Sequence, residues 1–491
     1  MTATGQLADS LRILRGDPRV GAVSVPPANG ASPPAVVVIP DEGWLRGQVA
    51  DAATLARRAL RGWETTYDLA YRKPDAAPRP DFVSWTSSFT REPISQADME
   101  DWLAATVRRL RALGHRRVLE IGCGTGLIVE AIAPFSEAYR AADLSGVAIR
   151  QLRAWLGTRD DLAHVETVHA PAHEVGAAWS ADLVILNSVV QYFPDAAYLR
   201  QVLDNAWGAL RPGGHIFIGD VRLLSTLPSF ITAVALARSA EACDVAALRR
   251  SIHAAWLAQS ELVIDPGFFH GFAMEHHARV STRLKSGRSA SEMTRYRYDV
   301  VIGKTEEDDI EIEMDKPIEI ETLAGLRAWL AAPGPVPVVV RGIANKRIRS
   351  DVIAQHLVGE AAADTIVATL RGRIEAADGI GDDVADPADL EAMAAARNLH
   401  CAILAPPGAI DGRYDAWFGR SAYRAGAAMG GGPATDASQP LLLQVLRRLG
   451  ADLLDGLSRA LPAPALPSSI LPVARAARLD GPLYEVFNFS L

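Results

Sequence analysis

The chain has 491 residues, of which 49% are hydrophobic and 22% are charged. These proportions are typical of globular proteins and exclude a disordered chain. At about 150 residues per domain, the length predicts two to four domains. The 50 Lys and Arg residues against 58 Asp and Glu residues give a net charge of −8, which argues against a nucleic-acid-binding protein held mainly by phosphate contacts.

The cysteines predict neither a disulfide framework nor a thiolate metal site, because Cys123, Cys243 and Cys401 are far apart in the chain. No apolar run approaches the ~20 residues that cross a bilayer, and the first residues contain no signal-peptide core. We therefore expect a soluble, cytoplasmic protein with no membrane or nucleic-acid partner. The sequence around His270, His276 and His277 has no recognised ligand spacing, so no metal is expected.

Residues 1–55 combine a short helical pattern, a Pro- and Gly-rich stretch and a strand-like run at 35–39. In the helical segment that follows, Trp63, Tyr67 and Tyr71 recur every four residues on one face, a spacing that we interpret as packing. A Pro-rich loop at 74–80 and an amphipathic helix at 98–113 come next.

Between residue 115 and about residue 220, short β-rich runs alternate with helical patterns, and the turn Arg211–Gly214 precedes the last run. Strands are predicted at 117–121, 139–143, 165–169, 182–187 and 215–219. This alternation predicts a parallel sheet covered by helices, with ligands bound beyond the carboxyl ends of the strands. Two further β-patterned runs, at 278–284 and 295–302, predict an antiparallel hairpin added to that sheet.

The C-terminal part begins with an acidic stretch at 305–315, which is typical of a solvated connector. Residues 316–425 return to an α/β pattern, with strands predicted at 336–341 and 400–404. An Ala- and Gly-rich loop at 426–432, a helical segment at 439–461 and a Pro-rich tail follow.

The strongest local signal is the run Val118–Gly126, VLEIGCGTG, which follows a predicted strand and begins a helix. Glycines at such a turn let the backbone approach a ligand closely. The order E-x-G-x-G-x-G differs from the dinucleotide pattern, and Asp143 at the end of the next strand can accept hydrogen bonds from both ribose hydroxyls. Because Glu120 precedes the glycines, the electrostatics favour a sulfonium ligand over a pyrophosphate.

With these motifs the chain resembles the class I S-adenosylmethionine (SAM)-dependent methyltransferases, and the run Leu210–Gly214 matches the L-x-P-G-G turn of that family. The resemblance implies a Rossmann-like α/β sheet, parallel with a C-terminal antiparallel hairpin and with small flanking α/β regions. It also implies SAM as cofactor. The residues expected to bind it are Trp85, Ser87, Glu120, Gly122, Cys123, Gly124, Gly126, Asp143, Leu144, Ala170 and Asn187.

A narrower resemblance is to the methyltransferase domains of nonribosomal peptide synthetases, and it covers roughly residues 60–425. The motifs that carry it lie at 82–93, 187–194, 219–222, 261–269 and 292–301. Such domains mostly N-methylate aminoacyl groups held as thioesters on a carrier protein, and some methylate carbon, oxygen or sulfur. Two departures are Ser291, where the family usually has Asn, and Ala170, where many class I enzymes have an acid near the adenine.

Residues 17–23 and 35–40 are similar to the first half of the small subdomain of an adenylation domain, which this methyltransferase domain often interrupts. The chain is therefore expected to be a free-standing relative of an embedded domain. The predicted divisions are an adenylation-like remnant, a helical lid region, a SAM-binding core and an α/β accessory region, at 1–55, 56–114, 115–304 and 305–491.

Four residues are candidates for catalysis, because an amine acceptor must lose a proton and be held in line with the methyl group. Asp220 is expected at a strand end, with a helix N-cap or an ion pair to Arg222 as the alternative. Tyr192 follows the fourth strand, where packing is the alternative. Glu292 is expected to contact an acceptor amine, with an ion pair to Arg295 as the alternative. Glu92 belongs to the same segment as Trp85 and Ser87, which is expected to close over SAM or, alternatively, to form a structural loop.

The remaining candidates also have plainer alternatives, because Asn187 can be a simple turn residue and Cys123 is expected to fill space rather than act as a nucleophile. The sequence thus predicts a SAM-dependent methyltransferase that methylates the nitrogen of an amino-acid-derived acceptor. The acceptor is expected to be bound to a carrier protein, and a nonribosomal peptide synthetase is the expected partner. The alternatives are methylation of carbon, oxygen or sulfur on a free small molecule, and a catalytically silent SAM-binding scaffold of a synthetase.

Overall fold

The computed structural model describes residues 7–25, 36–50, 52–72, 80–82, 85–176, 179–287, 289–304, 317–331, 334, 336–378, 384–421, 423, 426–427, 437–461, 467 and 470–472. The predicted acidic connector and the Pro-rich tail lie outside the described residues. So do nearly all of the predicted loops at 74–80 and 426–432.

The main helices and the strands are numbered separately in chain order. The helices are α1 (Ala8–Gly16), α2 (Glu42–Val49), α3 (Ala52–Ala70), α4 (Gln96–Ala112), α5 (Leu127–Ile132), α6 (Gly146–Leu156), α7 (Ala196–Ala209), α8 (Leu227–Arg238), α9 (Val245–Leu257), α10 (Pro266–Glu275), α11 (Glu292–Arg295), α12 (Leu323–Ala331), α13 (Arg349–Glu360), α14 (Val367–Asp378), α15 (Pro387–Ala395) and α16 (Pro440–Ala460). The strands are β1 (Val20–Ser24), β2 (Val36–Pro40), β3 (Arg117–Ile121), β4 (Ala138–Asp143), β5 (Val165–His169), β6 (Ala181–Asn187), β7 (Leu210–Arg222), β8 (Arg279–Leu284), β9 (Arg297–Gly303), β10 (Ile318–Ile320), β11 (Val338–Asn345), β12 (Val384–Ala385), β13 (His400–Leu404), β14 (Tyr414–Gly419), β15 (Gly426–Ala427) and β16 (Ile470–Pro472).

The central part of the large sheet has the strand order β8-β9-β7-β6-β3-β4-β5. Strands β3 to β7 pair in parallel, while β9 is antiparallel to both β7 and β8. The order reverses at β3, where the crevice that binds ligands in such sheets is expected. The predicted fold class, a parallel sheet with an added antiparallel hairpin, is confirmed.

The helices cover both faces of this sheet, as parallel strands with crossover connections require. On one face α7 and α10 contribute Leu199, Val202 and Phe272 to the core, and on the other α5 and α6 contribute residues such as Val129 and Leu152. Strands β3 and β6 are buried along most of their length, which explains their nearly continuous apolar runs.

The predicted turn Arg211–Gly214 differs in the structure, because these residues lie within the long strand β7. The amide of Gly213 donates to the carbonyl of Lys304 over 2.9 Å, and the amide of Lys304 donates to the carbonyl of Gly214 over 2.9 Å. A chain segment more than 80 residues away thus extends the ladder through residues whose local sequence favours a turn.

The large sheet continues beyond β8 into the C-terminal part of the chain, where the order runs β8-β13-β14-β11-β10. The junction is narrow, with Leu404 of β13 paired to Arg283 of β8. A separate three-stranded sheet joins the two ends of the chain, because β2 pairs with both β1 and β16. Among the described helices, none is long and apolar enough to cross a membrane.

Candidate active site

The glycine loop after β3 forms the floor of a cavity at the carboxyl end of the sheet. Gly122 has φ +83°, and a Cβ there would lie 2.6 Å from a methyl carbon of Val189. A side chain at this position is therefore excluded both by its backbone conformation and by its neighbour. The sequence-based interpretation of the glycine as a close-approach residue is consistent with this geometry.

Asp143 lies at the end of β4 and faces the same loop. Its Oδ2 accepts a hydrogen bond from the amide of Gly124 over 2.8 Å, and its Oδ1 accepts one from the amide of Ser145 over 2.7 Å. Burial raises the pKa of the Asp143 carboxyl, and these two amides partly offset the effect. The carboxyl group is thus held rigidly where the sequence predicted contact with a ribose.

The cavity encloses about 1140 Å³ of space free of protein atoms, its open mouth included. Of the eleven residues predicted to bind the cofactor, nine line it and Ser87 and Gly126 do not. The lining residues are Leu60, Trp63, Tyr67, Tyr71, Asp81, Trp85, Trp102, Glu120, Ile121, Gly122, Cys123, Gly124, Thr125, Leu127, Ile128, Asp143, Leu144, Ala170, Ala172, Asn187, Ser188, Val189, Tyr192, Phe193 and Tyr198.

One wall of the cavity is aromatic and comes from α3. The ring centroids of Trp63 and Tyr192 lie 4.7 Å apart, and those of Tyr67 and Tyr192 lie 5.0 Å apart. The packing interpretation of the Trp63, Tyr67 and Tyr71 stripe was therefore incomplete, since these side chains pack on one another and also line the cavity. The spacing of every four residues was a visible sequence signal, but it could not show that this helix face meets the cavity.

Glu120 is a buried carboxyl in the cavity wall, 2% exposed. The hydroxyl of Tyr139 donates to its Oε2 over 2.6 Å. Burial raises the pKa of Glu120 to about 7, an effect that the Tyr139 hydrogen bond reduces and the negative charge of Asp143 increases. A cation in the cavity would favour the ionised form, as expected for a site that receives a sulfonium.

Two polar residues, Asn187 and Ser188, line the cavity at the end of β6. The Oδ1 atom of Asn187 is buried and has no hydrogen-bond partner among the described residues. This atom packs against Gly219, where a Cβ would lie 2.1 Å from it, so residue 219 has to be a glycine. Ser188 has φ +55°, and its hydroxyl donates to Oδ2 of Asp220. Sequence reasoning missed Ser188 because a single serine after a strand carries no distinctive signal.

Asp220 is fully buried behind Ser188 and is not part of the cavity lining. Its Oδ2 accepts from Arg297 Nη1 over 2.8 Å and its Oδ1 accepts from Trp102 Nε1 over 3.2 Å, with Lys285 Nζ at 4.0 Å. The ion pair with Arg222 that sequence reasoning offered as an alternative is wrong, since Arg222 pairs with Glu261. The carboxylate of Asp220 is thus engaged by Ser188, Arg297 and Trp102.

The segment from Trp85 to Ile94 forms a tight hairpin, because the amide of Ile94 donates to the carbonyl of Trp85 over 2.9 Å. Trp85 lines the cavity and packs on Trp102, with ring centroids 4.9 Å apart. Glu92 is exposed and lies away from the cavity lining. The structure thus brings Trp85, and not Glu92, to the site.

Glu292 lies outside the cavity lining and contacts the hairpin. Its carboxylate accepts from the amide of Ser88 over 2.8 Å and from the hydroxyl of Ser88 over 3.1 Å. The alternative ion pair with Arg295 is wrong, because Arg295 pairs with Asp351.

Three other candidates occupy supporting positions. Gly126, at φ +94°, precedes the first residue of α5. The amide of Ala170 donates to the carbonyl of Asp143 over 3.1 Å, which brings β5 against the cavity. Burial raises the pKa of the Cys123 thiol well above its ordinary value, so this residue stays a neutral side chain. Within the described residues, no group of three potential metal ligands is found.

Residues 119–216 match a family model described as "Methyltransferase domain". The chain is 38% identical over 245 residues to a probable non-canonical nonribosomal peptide synthetase, CymA, of Salinispora arenicola, which covers 50% of this chain and 3% of that protein. It is 35% identical over 272 residues to chondramide synthase cmdD of Chondromyces crocatus, and the match covers 54% of this chain and 7% of that protein. The chain thus spans less than a tenth of the length of these curated relatives.

Among solved structures, the chain is similar to the N-methyltransferase NodS of Bradyrhizobium japonicum in complex with S-adenosylhomocysteine, at 17% identity and a TM-score of 0.33. That match covers 50% of this chain and 98% of NodS. The strand order, the glycine loop with Asp143 and the matched family model define a class I SAM-dependent methyltransferase domain. Within that class, the chain resembles the methyltransferase domains of nonribosomal peptide synthetases.

Proposed function

We propose that the protein transfers the methyl group of SAM to the nitrogen of an amino-acid-derived acceptor, held on a carrier protein, in the cytoplasmic assembly of a nonribosomal peptide. The similarity to two synthetases supports the metabolic context. In this proposal the ribose of SAM contacts Asp143. The sulfonium end of SAM lies on the glycine loop near Glu120.

The choice of nitrogen rests on the resemblance to the methyltransferase domains of nonribosomal peptide synthetases, and the polar residue that we expect to contact the acceptor is Asn187, which lines the cavity at the end of β6. A neutral amine carries an N–H that can donate to a side-chain amide oxygen and a lone pair that can attack the methyl group. A hydroxyl offers both features as well, whereas a carbanion carbon offers no such donor, so this contact favours nitrogen or oxygen over carbon. Asn187 would therefore orient the acceptor for in-line transfer, which is the main contribution that a protein can make to this reaction.

The proton released from the acceptor needs a route out of the site. Ser188 is the polar residue between the cavity and Asp220, and its hydroxyl already donates to that carboxylate. Because Arg297 also donates to Asp220, the carboxylate fixes the orientation of Ser188, and the acceptor's proton leaves to solvent through the open mouth of the cavity. A direct catalytic role for Asp220 stays a prediction, as do the roles of Tyr192, Glu292 and Glu92.

The test incubates the protein with methyl-labelled SAM and a panel of aminoacyl-loaded carrier proteins, beside the corresponding free amino acids. Mass spectrometry and NMR locate the added methyl group. Labelling at the α-nitrogen of a carrier-bound residue supports the proposal. Labelling at carbon, oxygen or sulfur would show that the proposed methylated atom is wrong. If only a free acid is labelled, the carrier-bound acceptor is excluded.

Two variants make the result specific to the site. Asn187→Ala is expected to raise the KM for the acceptor and lower kcat, with a small effect on SAM affinity. Asp161→Asn, a change of an exposed carboxylate far from the cavity, is the matched control. Tight SAM binding with no turnover on any acceptor would favour the scaffold alternative.

A further inference from the structure

The aromatic wall of the cavity is carried by α3, which precedes the glycine loop by more than 40 residues. Tyr71 follows the end of this helix, and its hydroxyl oxygen lies 3.2 Å from the position that a Cβ on Gly124 would occupy. The end of α3 is therefore seated directly on the glycine loop. Both surfaces also line the cavity that the proposed function assigns to SAM.

Two side-chain contacts fasten the end of α3 to the beginning and middle of α6. Oδ1 of Asp68 accepts hydrogen bonds from the hydroxyl of Ser145 over 2.6 Å and from the amide of Val147 over 3.2 Å. One turn further along α6, Nε2 of Gln151 donates to the carbonyl of Tyr71 over 2.6 Å. We call the contact of Asp68 with Ser145 and Val147 the α3 clasp.

The α3 clasp is continuous with the carboxylate assigned to the ribose. The amide of Ser145 donates to Oδ1 of Asp143, and the other oxygen of Asp143 accepts from the amide of Gly124. The Ser145 hydroxyl also accepts from the amide of Ala148, so its hydrogen is directed to Asp68. A single chain of hydrogen bonds thus runs from the aromatic helix through Ser145 and Asp143 to the glycine loop.

The charge on Asp68 suits this role. Burial acts to raise the pKa of its carboxyl, but the hydrogen bonds from Ser145 and Val147 and the charge of Arg150 outweigh it and hold the pKa below its ordinary value. Asp68 is therefore ionised at neutral pH, and hydrogen bonds to a charged acceptor are stronger than those to a neutral one.

We propose that Asp68 is a positioning residue that holds the aromatic helix closed over the bound cofactor. Asp68 itself is not part of the cavity lining, so it acts through Tyr67 and Tyr71 on one side and through Ser145 on the other. SAM enters, and S-adenosylhomocysteine leaves, when the α3 clasp opens. The proposal rests on the cavity being the SAM site, which the proposed function also requires.

The test measures the rate at which S-adenosylhomocysteine leaves the full-length protein, by stopped-flow displacement with excess SAM. Asp68→Asn is expected to speed dissociation about five- to tenfold, the effect of weakening one charged hydrogen-bond pair. Glu64→Gln removes a charge from the same helix and is the matched control, with an unchanged rate. Asp68→Asn combined with Ser145→Ala should speed dissociation by less than the product of the single effects, because both changes break the same bond.

Hydrogen exchange supplies the second measurement. The amides of residues 60–71 should exchange faster in Asp68→Asn, while those of β3 and β6 keep their protection. An unchanged dissociation rate in a folded Asp68→Asn variant would overturn the proposal. If the wild-type protein binds no S-adenosylhomocysteine, the assignment of the cavity as the SAM site is wrong. Hydrogen exchange at residues 60–71 in the unliganded protein then still tests the α3 clasp.

Discussion

The change Glu120→Gln tests whether Glu120 is a buried carboxyl group that a cationic cofactor would ionise. The glutamine is nearly the same size, and its amide oxygen can accept the hydrogen bond that Tyr139 now donates to Glu120. The substitution therefore removes the charge and leaves the packing of β3 in place. Any change in how stability depends on pH is then attributable to one carboxyl group.

The magnitude follows from the pKa of Glu120, which burial raises from 4.5 to about 7. At 1.36 kcal/mol per unit, the ionised form costs the folded state about 3 kcal/mol. Because the pKa is higher in the folded than in the unfolded chain, protonation stabilises the fold. This contribution is complete below about pH 4.5 and is lost as the pH rises through about 7.

The assay is urea unfolding of the unliganded protein across this pH window. The free energy of unfolding of the wild type should fall by about 3 kcal/mol relative to Glu120→Gln as the pH rises from about 4.5 to about 8. Calorimetry supplies a second comparison, because SAM carries a positive charge and S-adenosylhomocysteine does not. Below pH 7 the wild-type affinity for SAM should rise with pH by up to about tenfold per unit, while the affinity for S-adenosylhomocysteine changes much less.

Parallel stability curves for the wild type and Glu120→Gln would refute the reasoning about burial. Equal pH dependence for the two ligands would refute the placement of the sulfonium near Glu120. The two results are independent, so the stability result can hold even if the cofactor lies elsewhere in the cavity.

Three further predictions concern the cofactor carboxylate, the glycine loop and the hairpin. Asp143→Asn should weaken SAM binding about tenfold to a hundredfold by calorimetry, since a charged acceptor becomes neutral, while the surface change Asp160→Asn leaves it unaltered. Gly122→Ala should destabilise the protein by at least about 2 kcal/mol in urea unfolding, because the added Cβ would collide with Val189. The control Gly456→Ala changes a helical glycine with open space around it and should be neutral or stabilising. Equal effects of the two substitutions would contradict the steric argument. Glu292→Ala should speed hydrogen exchange at residues 85–94 about tenfold by removing both bonds to Ser88, and exchange as slow as in the wild type would show that the hairpin is held by other contacts.

Much of the site could be predicted because its residues lie at strand ends that local patterning defines. The run Val118–Gly126 and the acid Asp143 fall one crossover apart, and parallel strands bring their carboxyl ends to the same edge. The division into four regions stays a prediction. The roles of Glu292 and Glu92 could not be read in this way, because what a surface carboxylate contacts depends on which distant segment folds over it.

The sequence by itself determined the parallel sheet, its antiparallel hairpin and the glycine loop with Asp143 at the next strand end, since each depends on periodicity and spacing over a few residues. Only the tertiary structure decided that Asp220 is enclosed by Arg297 and Trp102, and that Ser188 lies between it and the cavity. The tertiary structure likewise joined α3 to Ser145. The physical reason is that burial and charge pairing depend on contacts between residues 30 to 120 positions apart, and no local pattern encodes them.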